Sequence, residues 1–176
     1  MGVSTNAILF YGYCWSEEDV ELFRNPEFGG DDDEGLKEGD SPEWTERVLL
    51  KRGEKNPWNN LPAEFAALPY QEKRKAQEKW IADHRAELDA WSAKKDAVEK
   101  EFDIVVSSHC SGDYSMPYLA ANGSSVIACR GYPEEVDLAT LKVDPEWNAK
   151  LDKFIAEFGI EKPHEKPTWW LVSYWD

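Results

Sequence analysis

Residues 71–102 contain neither glycine nor proline. An unbroken stretch of that length has few options, and its spacing narrows them further. Ile81, His84, Leu88, Trp91, Lys95, Val98 and Phe102 recur at alternating intervals of three and four, which lines them along one helical face. At 1.5 Å per residue a single helix here would reach about 45 Å. Its charges balance, with eight acids and eight bases over residues 71–101. Pairs such as Lys79/Asp83 and Lys95/Glu99 stand one turn apart, as expected of a solvated outer face over a core-facing stripe. A coiled-coil seam is the rival reading, and Lys95 interrupts it.

The two ends of the chain read as strands. Residues 6–13 and 168–175 are short, rich in aromatic and β-branched residues and bounded by turn formers. Both are too apolar for exposed edges, so both belong inside a sheet. In the last strand, alternation puts Trp169, Leu171 and Ser173 on one face and Trp170, Val172 and Tyr174 on the other. That aromatic tail is expected to pack on the core, with a partner-binding patch as the other use of so many Trp and Tyr side chains.

Between the ends, residues 16–23 can begin a helix capped by Ser16. Ser41-Pro42 opens another that ends near Arg52-Gly53. Residues 56–69 are irregular, with one helical turn over 63–68. Residues 103–108 read as a strand and 109–117 as a loop. Residues 118–121 and 124–130 read as a hairpin around Asn122-Gly123, the pair that type I′ turns prefer. Asp144 caps and Pro145 begins a last helix, which Gly159 ends. Layer rules turn this order into an α+β fold: a mixed sheet of about five strands with packed helices, including one long helix at about 71–102. At 176 residues the expectation is a single domain, 1–176, with an acidic mobile segment at about 25–40 and a helical insertion at about 41–102.

The sequence charge is −15, and most of it is local. Residues 16–40 hold eleven acids against two bases, a net −9. Such a surface repels nucleic acid and anionic membranes and attracts a basic protein groove. Asp31, Asp32, Asp33 and Glu34 form its densest run and are the candidate partner-binding residues. They lack the alternating ligand spacing of a calcium loop. No apolar stretch approaches the length of a membrane span, and the start of the chain has no basic residue before its apolar run, so no secretory signal is expected.

Three cysteines, Cys14, Cys110 and Cys129, are an odd set without paired short spacing, which favours reduced thiols in a cytoplasm. The stretch from Ser107 to Asp113 is where chemistry would sit. Cys110 is a candidate thiolate, with His109, His84 or His164 as base and Asp113 as helper. Alternation along a strand opposes the His109–Cys110 pairing unless the chain turns between them. Convergence of Cys14, Cys110, Cys129 and His109 on zinc lacks the usual spacing, so neither a metal site nor a cofactor is expected. Phosphate-binding loops and basic, aromatic-laced patches are absent.

Several segments together carry a resemblance. They are residues 8–15 (Ile-Leu-Phe-Tyr-Gly-Tyr-Cys-Trp), His109-Cys110-Ser111 with Met116-Pro117-Tyr118, Arg130-Gly131-Tyr132-Pro133, Trp147-Asn148-Ala149, and residues 166–175. In these the chain resembles a family of small acidic proteins carried by bacteriophages and prophages; residues 16–101 carry none of the likeness. The family brings no assigned activity or catalytic residue. It implies a setting, the cytoplasm of an infected bacterium. The leading expectation is therefore an accessory protein that binds a host protein, inhibiting a defence or nucleic-acid-binding enzyme through its acidic surface. The alternative is a small thiol-dependent enzyme using Cys110.

Overall fold

The computed structural model describes residues 5–16, 18, 44–111, 114–137, 139 and 141–175. The chain divides into two compact units: Met1–Glu38 with Phe102–Asp176, and Gly39–Glu101. The first holds the sheet and the second is helical. The fold is α+β, as expected.

The sheet unit is organised around β1 (Thr5–Cys14). Along one edge β1 pairs antiparallel with β5 (Thr168–Trp175), from Thr5↔Trp175 to Gly12↔Thr168. Its other edge is shared by two strands. Its last residues, Gly12 to Cys14, pair with Ala120 to Tyr118 of β3 (Tyr114–Ala121). Its earlier residues, Ala7 to Leu9, pair with β4 (Val126–Ala128). The far edge of β3 pairs with β2 (Ile104–Ser111) over its full length. A single parallel bridge, Cys110↔Tyr174, joins the end of β2 to β5. Four strands thus follow one another in a ring, β1–β3–β2–β5–β1.

Gly12 makes the β1–β3 approach possible. A Cβ built on it would stand 1.8 Å from the Leu119 carbonyl oxygen, so no other residue fits there without parting the strands.

The Asn122-Gly123 hairpin expected from the sequence is not formed. β3 and β4 run in the same direction, end to end along β1, and residues 121–125 bulge between them. The hairpin of this region is β2–β3, whose register closes at Ser111↔Tyr114. The turn chemistry of Asn122-Gly123 serves docking instead: Gly123 takes φ +77°, and Asn122 bonds Asp103 through both its main-chain N–H and its side-chain amide. Buried Ser124 repairs the interrupted ladder. Its Oγ accepts from the Tyr11 N–H at 3.2 Å and donates to the Ala121 carbonyl at 2.7 Å.

Alternation gives the ring two faces. Tyr11 and Tyr13 point to one, against the helix Pro145–Phe158. The Tyr11 hydroxyl donates to Asn148 at 2.8 Å, and Tyr13 reaches Asp152 at 3.2 Å. That helix forms as its sequence dictates: the Asp144 carboxylate accepts from the Glu146 N–H, Pro145 fills the first turn, and Gly159 closes it at φ 62°. The opposite face gathers Ile8, Phe10, Tyr118 and Ala120, with Cys14, Val105, Trp170, Val172 and Tyr174 packed on them. Contributions from all four strands meet in this cluster, as the inner face of a closed ring requires. The aromatic tail therefore divides as its alternation predicts: Trp170, Val172 and Tyr174 join the core cluster, while Leu171 is 73% exposed.

In the helical unit, α1 (Trp44–Lys51) is followed by two 3-10 turns, Pro57–Asn60 and Ala63–Ala67. The single long helix is corrected to two, α2 (Tyr70–Asp83) and α3 (Arg85–Phe102), so the helix of the sheet unit is α4. The break falls on His84, at φ −108° and ψ 14°. Its imidazole stacks on Trp80 at 4.3 Å and its Nδ1 takes the Trp80 carbonyl at 2.9 Å. The main-chain bonds on either side are kept, from the His84 N–H to the Trp80 carbonyl at 3.0 Å and from the Leu88 N–H to the His84 carbonyl at 3.1 Å, so the imidazole shares the Trp80 carbonyl with the ladder. Among the described residues no helix is long and apolar enough to cross a membrane.

Candidate functional site

Two strand ends bring three reactive side chains together on the inner face. On β1 the positions Ile8, Phe10 and Cys14 share that face. On β2, Val105 packs there too, and His109 lies an even number of residues farther along, facing the same way. His109 is opposite Met116 in the β2–β3 register. Regular alternation would point Cys110 away, but its backbone, although still paired in the ladder, stands at φ +74°. This is the left-handed region, uncommon for a residue with a Cβ. Its sulfur lies on the side of its neighbour His109.

The result is one imidazole held between two thiols. Cys110 Sγ lies 3.2 Å from His109 Nδ1, and Cys14 Sγ lies 3.2 Å from His109 Nε2. The thioether of Met116 sits 3.7 Å from Cys110 Sγ. Tyr118 flanks the ring at 6.5 Å and stacks in turn on Phe10 at 4.3 Å.

The two electrostatic perturbations have one main cause. Burial pushes the Cys14 thiol up to about 12, and the nearby Cys110 adds to it. Cys14 is therefore a neutral thiol at any physiological pH. Burial also lowers the pKa of His109 below the usual imidazole range, while a hydrogen bond to the Trp15 main chain pulls the other way. A lowered value keeps the ring neutral near pH 7, with one nitrogen free to accept a proton. Neutral imidazole at hydrogen-bond range of a thiol is the arrangement of a base-assisted nucleophile.

The same geometry disfavours a metal. The two ring nitrogens point in diverging directions, so the two sulfurs do not converge on a point that an ion can occupy. No group of three ligating side chains suited to a metal occurs among the described residues. Cys129 is exposed and lies in a bridge with Tyr132, and the structure does not bring it to the cluster.

The other sequence candidates separate cleanly. His84 belongs to the helical unit and His164 packs beside Tyr13 and Trp170, which leaves His109 as the histidine beside Cys110. Asp113 and the run Asp31, Asp32, Asp33 and Glu34 lie outside the described residues. Met116 and the Trp15 main chain were not foreseen as parts of the site. Met116 was legible in principle, because Gly112-Asp113 is itself a two-residue hairpin signal that would have set the β2–β3 register.

No family model, no curated protein and no solved structure matches the chain.

Proposed function

We propose that this protein is a thiol-dependent enzyme in which Cys110 is the nucleophile and His109 takes its proton. The observation that supports this best is the 3.2 Å contact between Cys110 Sγ and His109 Nδ1, at a Cys110 whose φ is +74°. Backbone strain of this kind, held at a nucleophile beside a base, is characteristic of functional sites. Transfer of the Cys110 proton to Nδ1 would leave a thiolate beside an imidazolium, and the thiolate lone pair would then form the bond to an electrophile. The test uses the protein's own control thiol. Limiting iodoacetamide at neutral pH, followed by peptide mapping, should label Cys110 ahead of exposed Cys129. Preferential labelling of Cys129 would remove the basis of the reading.

A second reading rests on a different observation, the net −9 of residues 16–40. In it the chain is an accessory protein of an infected bacterium that binds a basic host protein through Asp31, Asp32, Asp33 and Glu34. Its support is charge density and the family resemblance. Binding by such a surface must weaken with salt. Pull-down from bacterial lysate at low and moderate salt, beside a variant neutralised at those four residues, decides it. A partner retained equally by both proteins at both salt levels would refute it.

A further inference from the structure

The helical unit holds a cavity of about 320 Å³ that shares no residue with the thiol cluster. Its size is at the small end of the range for organic ligands. Two indoles, Trp58 and Trp91, form its apolar walls together with Ile81 and Leu88. Charged groups of both signs line it in equal number, Glu46 and Asp89 against Arg85 and Lys95.

Asn56 organises one end. Its side-chain oxygen accepts from the Trp58 N–H at 2.9 Å and caps the turn Pro57–Asn60, while its amide nitrogen donates to Glu46 Oε1. One carboxamide thus ties an indole and a carboxylate to the same place. Trp58 packs on Trp80 at 5.8 Å and is still 44% exposed. Among the described residues Glu46 keeps its Oε2 uncommitted. The opposite charge is also available. Arg85 donates to the two oxygens of Asp89 at 3.1 and 3.2 Å, both times through Nε. Among the described residues its two terminal amino groups meet no acceptor, and they form the fork that grips a carboxylate.

We propose that this cavity binds a small zwitterion, a quaternary ammonium joined to a carboxylate by a short apolar chain. The ammonium lies over Trp58 beside Glu46, the chain lies against the apolar walls, and the carboxylate meets the Arg85 fork. A ligand of one sign would meet like charges as well as opposite ones. A quaternary ammonium suits the indole better than a primary one: it needs no hydrogen-bond acceptors, whereas a primary ammonium brings three donors to one free carboxylate oxygen.

The test titrates the full chain with three compounds. γ-Trimethylammoniobutyrate carries both charges, butyltrimethylammonium only the cation, and the analogue of the first with a tert-butyl group in place of the ammonium only the carboxylate. Calorimetry ranks them, and proton–nitrogen spectra of the indole N–H groups locate them, with Trp58→Phe assigning the Trp58 signal. The zwitterion should bind at least about tenfold tighter than either single-charge compound and should shift the Trp58 signal. Glu46→Gln, which keeps an oxygen for Asn56, should lower the affinity for the zwitterion to that for the tert-butyl analogue. Arg85→Gln should lower it to that for butyltrimethylammonium. Equal affinity for all three compounds, or no binding at millimolar concentration, would overturn the proposal, as would tight binding without a shift at Trp58. The wild-type ranking decides the matter even where a variant fails to fold.

Discussion

Replacing Cys110 by glycine should leave a more stable protein than replacing it by alanine, the reverse of the usual order in a strand. Glycine inside a strand or helix ordinarily costs about 0.5–1 kcal/mol relative to alanine. At Cys110 the backbone stands at φ +74°, where a Cβ costs roughly 1–2 kcal/mol. Both substitutions delete the thiol and its contacts with His109 and Met116, so the comparison isolates the backbone. The difference should favour Cys110→Gly by up to about 1.5 kcal/mol. Ser108 supplies the control. It lies two residues earlier in β2, paired with Pro117, and its φ is not positive, so Ser108→Ala should be the more stable of its pair. Urea unfolding followed by tryptophan fluorescence gives all four midpoints. If Cys110→Ala equals or exceeds Cys110→Gly, then Cys110 does not hold the left-handed conformation. The contact between its sulfur and Nδ1, and the site built on it, would go with it.

Gly12→Ala should be among the most damaging single-methyl additions in the sheet unit. Its Cβ would lie 1.8 Å from a main-chain oxygen, and parting β1 from β3 should cost at least about 3 kcal/mol; a loss in urea unfolding below about 1 kcal/mol would refute the close approach. Cys14 predicts an alkaline weakness. Its pKa rises on folding from 9.0 to about 12, so the unfolded chain gives up this proton first. The stability it contributes is complete below pH 9 and falls as pH rises from 9 toward 12. Undiscounted, one pH unit above 9 costs about 1.4 kcal/mol. Partial exposure of the thiol reduces that to roughly 0.7 kcal/mol. Urea midpoints at pH 8 and pH 10 should therefore fall more in the wild type than in Cys14→Ala, and parallel declines would count against the buried thiol. His109 acts in the opposite direction. Its lowered pKa means that the unfolded chain binds its proton first as pH falls below the ordinary imidazole value. Its contribution is present above about pH 6.5 and is lost on acidification, so His109→Gln should flatten the acid limb of the stability profile.

Much of the fold was legible because local chemistry and tertiary packing agree there. α4 begins and ends where Asp144, Pro145 and Gly159 say it must. β1 and β5 were readable from apolarity alone, and the alternation of Trp169 to Tyr174 sorted the tail into a core-packed and an outer face. The misreadings came where two local signals competed. A Gly- and Pro-free run specifies helix, but nothing in its periodicity reveals that the backbone leaves the helical region at His84, where the imidazole shares the Trp80 carbonyl. Asn122-Gly123 and Gly112-Asp113 are both hairpin signals, and only the pairing of β3 with β2 decides between them. The site was legible as a list rather than as a geometry. His109, Cys110 and Cys14 were all candidates, but strand alternation argued against the first pair. The positive φ that reunites them is a property of one residue's backbone, and no residue type there announced it: Cys110 has none of the tolerance that makes glycine or asparagine a marker of the left-handed region.

The reactivity of Cys110 as a function of pH, measured in the wild type and in His109→Gln with Cys129 as internal reference, tests the central claim most directly. With His109 as proton acceptor, Cys110 alkylation in the wild type should exceed that of Cys129 by about tenfold or more near pH 7. It should fall away only as the ring takes up a proton, which burial of His109 shifts to lower pH than for an ordinary imidazole. The advantage should vanish in His109→Gln. Equal rates at Cys110 and Cys129 across the whole range, unchanged by the substitution, would show that the imidazole between the two thiols is a packing arrangement and not a site of chemistry.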